Sequence, residues 1–206
     1  MRNPLRYQLS EYDCGPTTML NAVSYLFSRE EISPEVIKNI MLYSLDTYGS
    51  EGIMGKRGTS SAAMMFLSNW LNSYGNIGHQ PISSQYLSGK SVFLGEESRI
   101  DDALARGGVA VVRVLLEGGH YVLITGEEEA GMRVFDPYYE EEDLNNKDII
   151  VLKGLCFSHN RVIPRYYFNR ETWEDYAFGP WEDREAVLLF NEARKLTQEG
   201  TIEYFI

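Results

Sequence analysis

Apolar positions before residue 107 recur at three- and four-residue spacings, while after it they fall in short, nearly continuous runs. The first regime is helical and the second extended, since a helix repeats every ~3.6 residues and a strand every two. In CGPTTMLNAVSYLF, Met19, Leu20, Val23, Leu26 and Phe27 share one helical face. Pro16 suits the first turn of that helix, where its missing N–H costs no bond. Ser33-Pro34-Glu35 opens a second helix, with Ser33 as N-cap and Val36, Ile37, Ile40 and Met41 following. SAAMMFLSNWLNSY, from about residue 61 to 74, predicts a third, with Gly75 placed to cap its end. A shorter helix begins at a Ser98 cap and stops at Gly107.

Beyond Gly107, VAVVRVLL, HYVLITG and MRVFDP are rich in β-branched and aromatic residues and are separated by Gly- and Glu-bearing turns. IIVL near 149–152 and AVLLF near 186–190 continue the sheet character. Helices first and antiparallel strands afterwards define an α+β domain. At 206 residues the chain fits a single domain spanning 1–206. The aromatic stretch RYYFNRETWEDYAFGPW belongs to a carboxy-terminal extension, residues 156–206, expected to pack on the sheet. The glycine-rich segment GSEGIMGKRGTS, residues 49–60, invites a phosphate-loop reading. It fails, because Arg57 rather than Ser or Thr follows Lys56 and no strand precedes it. A mobile surface loop bordering a cleft is the expectation instead.

Charge and composition narrow the function. A net charge of −11 and a pI near 4.8 argue against a nucleic-acid partner. No run approaches the ~18 apolar residues of a membrane span, and the start MRNPLRYQLSEYDCG lacks a signal-peptide core. The expected setting is therefore cytoplasmic and reducing, where a cysteine stays a thiol. There are two cysteines, Cys14 and Cys156, and sequence alone leaves a single bridge between them open. The three histidines and two cysteines show no zinc-ligand spacing, so no metal or other cofactor is expected.

Four residues carry candidate chemistry. Cys14 stands at the start of the first helix, where unpaired N–H groups and a partial positive charge favour an anion. Taken alone, it reads more readily as a buried core cysteine. Gln8, six positions earlier, can offer an amide N–H to an oxyanion together with the Cys14 backbone N–H. His120 opens the strand HYVLITG after the Gly118-Gly119 turn, whereas His79 and His159 lie in loops without such a frame. Asp136 closes the strand MRVFDP, which the short connector EEEAG joins to the histidine strand as a hairpin. With a pairing sum of 256 His120 and Asp136 are directly opposite. With 258 they are diagonal neighbours, and either way they share a face about 4.5–8 Å apart at Cβ. A carboxylate there can orient the imidazole, and the imidazole can serve a thiol nucleophile.

The islands Gln8-x5-Cys14-Gly15, Gly119-His120-Tyr121-Val122 and Val134-Phe135-Asp136-Pro137 resemble the bacteriocin-processing, double-glycine leader peptidases, a family of papain-like cysteine peptidases. The resemblance spans roughly residues 5–155. It implies a papain-like fold and carries the family's glutamine, cysteine, histidine and aspartate onto Gln8, Cys14, His120 and Asp136. It also implies a peptide or protein substrate cleaved through a thioester. Two other readings use the same residues: transfer of the acyl group to an amine or thiol, and a non-catalytic cleft that binds a peptide. The best-known family members are fused to a membrane exporter, and no such segment occurs within these residues.

Overall fold

The computed structural model describes residues 3–116, 118–139 and 148–197. Helices α1 (Cys14–Leu26), α2 (Pro34–Ser44) and α3 (Ser61–Asn76) come first. Strand β1 (Ile82–Ser88) and the short α4 (Arg99–Ala105) follow. Then come β2 (Val109–Leu115), β3 (Gly119–Glu128), β4 (Gly131–Phe135), β5 (Ile150–Val151), β6 (Arg161–Ile163) and β7 (Glu185–Asn191). All seven strands join one antiparallel sheet in the order β1-β7-β2-β3-β4-β6-β5.

Period-two alternation sorts the strand residues onto two cores. Val109, Val111, Tyr121, Leu123, Val187 and Leu189 face α1, α2 and α3. Ala110, Val112, Val122, Ile124 and Leu188 face α4 and the aromatic segment bearing Tyr167, Phe168, Tyr176 and Phe178. The sheet is buried on both faces, which is why its central strands read as continuous apolar runs rather than clean alternation. The chain belongs to the α+β class, with a helical half that bears Cys14 and a sheet half.

Two local expectations need correction. Gly75 lies inside α3 rather than at its cap. Its role is close approach, since a Cβ there would stand 1.8 Å from the Ile82 carbonyl oxygen of β1. On α2, Val36 and Ile40 are fully buried while Ile37 and Met41 are about half exposed, so the apolar stripe is narrower than its spacing suggested. The carboxy-terminal region supplies strands of the sheet, among them the AVLLF segment expected near 186–190. These are β6 and β7, and β7 separates β1 from β2. The glycine-rich segment, read as a mobile loop, is closed on itself by Gly55 N–H to Thr47 O at 2.7 Å and Thr47 Oγ1 to Gly58 O at 2.7 Å.

Candidate active site

β3 and β4 pair Leu123 with Phe135 and Ile124 with Val134, so their register sum is 258. His120 and Asp136 are thereby diagonal neighbours on one face. The register changes only at a bulge between Ile124 and Gly126, on the turn side of both residues. A bulge nearer His120 would have sent the two side chains to opposite faces.

His120 Nε2 meets Asp136 Oδ1 at 2.7 Å. Asp136 is 1% exposed, and it accepts two further hydrogen bonds: Tyr138 N–H to Oδ1 at 2.8 Å and Tyr176 Oη–H to Oδ2 at 2.8 Å. Burial pushes its carboxyl upward, but the His120 charge and hydrogen bond, with the other two donors, outweigh it and hold Asp136 below the ordinary carboxylate value. On His120 the largest influence, burial, pushes downward. The Asp136 charge and hydrogen bond overcome it, the neighbouring Cys14 adds to them, and the imidazole is raised to about 10. With Nε2 engaged by Asp136, Nδ1 is the ring nitrogen left for the cysteine.

Cys14 is the first residue of α1, 8% exposed, and is a free thiol, as is Cys156. α1 packs on β3, and Thr18 Oγ1 donates to the Tyr121 carbonyl at 2.9 Å, which fixes the helix start against the strand that carries His120. The turn before α1 is organised by Asp13, which accepts from Leu9 N at 2.9 Å, Ser10 N at 2.6 Å and Thr17 Oγ1 at 3.1 Å. Burial raises the Asp13 carboxyl, yet these bonds bring it below its ordinary value.

Gln8 sits in that turn. Its backbone N–H donates to the Pro137 carbonyl at 2.8 Å, which ties it to the residue after Asp136. Its Nε2 donates to Ser10 O at 2.8 Å, leaving the second Nε2 proton for another acceptor. Its Oε1 is buried without a hydrogen-bond partner among the described residues. His79 and His159, set aside from the sequence, lie elsewhere: His79 stacks on Tyr74, and His159 accepts or donates to Ser158 Oγ at 2.8 Å.

Two contributors to the site were missed in the sequence. Asn160 is fully buried, accepts the Asp136 N–H at 2.8 Å and donates to the Asp136 carbonyl at 2.8 Å, so it clamps the aspartate backbone from both sides. Tyr176 reaches Asp136 from a left-handed backbone, φ 63°, a conformation that costs a bulky residue about 1–3 kcal/mol. The residue is fixed by its N–H to the Leu115 carbonyl at 2.8 Å. No periodicity or spacing separated Tyr176 from the other aromatics around it.

The α+β scaffold is that of a papain-like cysteine-type peptidase, with Cys14 at a helix start and His120 paired to the buried Asp136. The sequence profile of the Peptidase_C39 like family matches residues 2–155, and the chain belongs to that family. Curated protein sequences give no match to it. Among solved structures, the peptidase domain of Streptococcus mutans ComA aligns over 90% of this chain and 98% of its own length, at 11% identity and a TM-score of 0.41. A likeness at that score carries no argument here. Among the described residues, no helix is long and apolar enough to cross a membrane.

Proposed function

We propose that the chain hydrolyses peptide bonds with Cys14 as nucleophile, His120 as proton carrier, Asp136 as orienter and Gln8 as an oxyanion donor. The observation that carries this reading is the buried His120–Asp136 pair at 2.7 Å, with Cys14 acting on the same imidazole to raise it. An imidazole raised to about 10 holds its proton at neutral pH, so His120 enters the reaction as the proton donor. The thiolate sulfur attacks the carbonyl carbon, and the charge passes to the oxygen. The Cys14 backbone N–H and the second Nε2 proton of Gln8 stabilise that oxygen. As the C–N bond breaks, His120 gives its proton to the departing amine and becomes neutral. Water then loses a proton to His120 and attacks the thioester. Release of the acid restores thiolate and imidazolium, and no step calls for a cofactor. We place the protein in the cytoplasm, with residues 1–206 as one unit.

Competition between the two cysteines tests the reading. Burial raises the Cys156 thiol above its ordinary value, more than Tyr7 and Arg161 lower it, so Cys156 is an internal reference for an unactivated thiol. Iodoacetamide at near-neutral pH should label Cys14 first, by peptide mapping, and His120→Gln should slow that labelling while leaving Cys156 unchanged. Peptide turnover should vanish in Cys14→Ala. Equal or faster labelling of Cys156, or turnover that survives Cys14→Ala, would refute the assignment.

A further inference from the structure

Beside Cys14, His120 and Asp136 lies a second polar cluster that the proposed chemistry does not use. Strand pairing gathers it on the helix-bearing face at the same end of the sheet as His120. β2 and β3 set Arg113 opposite Tyr121. Extending the β2–β7 register one residue beyond Val112 and Ala186 brings Glu185 beside Arg113. Glu185 is buried, and its carboxylate accepts the hydroxyls of Tyr121 at 2.6 Å, Tyr86 at 2.9 Å and Ser61 at 3.2 Å.

Arg113 is in a different state. Its side chain is 28% exposed, and its Nε stands 4.0 Å from Glu185 Oε1, beyond hydrogen-bonding reach. Hydroxyls satisfy the carboxylate, so the guanidinium fork is not spent on it. Among the described residues its one hydrogen bond runs from Nη1 to the Asp183 carbonyl at 3.0 Å. Gly119, immediately before His120, gives the guanidinium its place, since a Cβ there would stand 2.3 Å from Nη2 and 2.6 Å from Nε. The cluster also reaches the cysteine. A Cβ on Gly15 would stand 2.2 Å from Thr59 Oγ1, so the segment 59–61 bridges the start of α1 to Glu185. Arg113 thus borders the backbone next to His120 at Gly119, and a chain of contacts through Glu185, Ser61 and Thr59 links it to the start of α1.

A planar guanidinium with free N–H groups matches the two oxygens of a carboxylate. On a chain of net charge −11 this cation is no general lure for acidic ligands, so any preference must come from direct contact. We propose that Arg113, held over Gly119 by its bond to the Asp183 carbonyl, is a specificity subsite that binds a carboxylate of the peptide next to the scissile bond. That carboxylate is either an Asp or Glu side chain or the free carboxy terminus of the substrate. The inference rests on the cleft at Cys14 being a peptide site.

Equilibrium binding to the Cys14→Ala protein tests it without turnover. The probes are pentapeptide pools carrying an uncharged coumarin label in three forms: carboxamide ends without acidic residues, free carboxylate ends without acidic residues, and carboxamide ends with one Asp or Glu. At least one carboxylate pool should bind roughly 10- to 100-fold more tightly than the neutral pool, the range for a charge-assisted contact. Preference for the second pool assigns a terminal carboxylate, and preference for the third a side chain. Arg113→Gln should erase the difference, and Arg113→Lys should keep part of it. If Arg113→Gln does not fold, Gly119→Ala serves instead, because it keeps the charge but displaces the guanidinium. Equal binding of all pools, or a preference that persists in a folded Arg113→Gln protein, overturns the proposal. Absence of Cys14-dependent hydrolysis with the preference intact would instead overturn the peptidase reading and leave the subsite standing.

Discussion

Asp136→Asn changes one charge at the centre of the site and almost no volume. The two oxygens of Asp136 take three donors: His120 Nε2 and Tyr138 N–H on Oδ1, and the Tyr176 hydroxyl on Oδ2. An asparagine can keep its oxygen toward His120 and Tyr138 and turn its amide toward Tyr176, whose rotatable hydroxyl can accept instead of donate. Geometry then survives and the missing negative charge is the main loss. On His120 burial already pushes downward, and the Asp136 charge is the largest influence opposing it. Removing an opposite charge in direct contact should lower the imidazolium by ~1–3 pH units, which is ~1.4–4 kcal/mol of lost ion-pair stabilisation. The assay is NMR titration of the histidine ring protons, with His120→Gln identifying the resonance among three histidines. The unmodified protein should titrate near about 10 at His120, and Asp136→Asn well below it. Peptide turnover should fall roughly 10³- to 10⁴-fold, by the logic of orienting carboxylates in nucleophile–base–acid sites. A His120 midpoint that moves by less than about 0.5 unit, set against the expected shift, would show that Asp136 does not hold the imidazole as argued.

Tyr176→Phe removes one donor to a buried carboxylate and should destabilise the fold by about 1.5–3 kcal/mol in urea unfolding, while lowering the His120 midpoint slightly because Asp136 is held less firmly; an unchanged unfolding free energy would dismiss the contact. The His120 pair also sets a pH dependence. Its folded value of about 10 lies above the ordinary 6.5, so its contribution is full below pH 6.5 and is lost as pH rises through 10. The Asp136 side runs the other way, present above the ordinary carboxylate value and lost as acid takes pH below the lowered folded one. Between pH 7 and 9 the stability difference between the unmodified protein and His120→Gln should therefore shrink by up to about 1.4 kcal/mol per pH unit; parallel curves would refute the raised imidazole.

What the sequence made legible is what local pattern controls. Ser33 and Ser98 cap their helices through side-chain oxygens, as their positions before apolar runs indicated. Cys14 begins α1 because Gly15-Pro16 and the apolar spacing beyond it permit a helix start nowhere much later. His120 and Asp136 could be brought together on paper because a hairpin with a short connector has few registers, two of which put both on one face. Between them only the tertiary structure decides: the sum is 258, and the bulge that could have undone it falls beyond Ile124. The illegible part is what depends on contacts between distant segments. β7 wedges between β1 and β2, which no local pattern encodes. That insertion is also what carries Glu185 to Tyr121 and Arg113.

Tyr176 and Asn160 make the same point at the site itself. Each meets Asp136 across a long stretch of sequence, only because the carboxy-terminal region returns across the sheet. The aspartate that the sequence reading tied to His120 alone is therefore held from four directions, by His120, Tyr138, Tyr176 and Asn160. This matters for the chemistry, because a carboxylate free to turn toward solvent would lose the contact that keeps His120 charged. A buried charge is tolerable only when its hydrogen bonds are filled. Residues beyond the family match at 155 supply Tyr176 and Asn160, so in this chain the carboxy-terminal region is part of what holds the His120–Asp136 pair rather than an appendage to it.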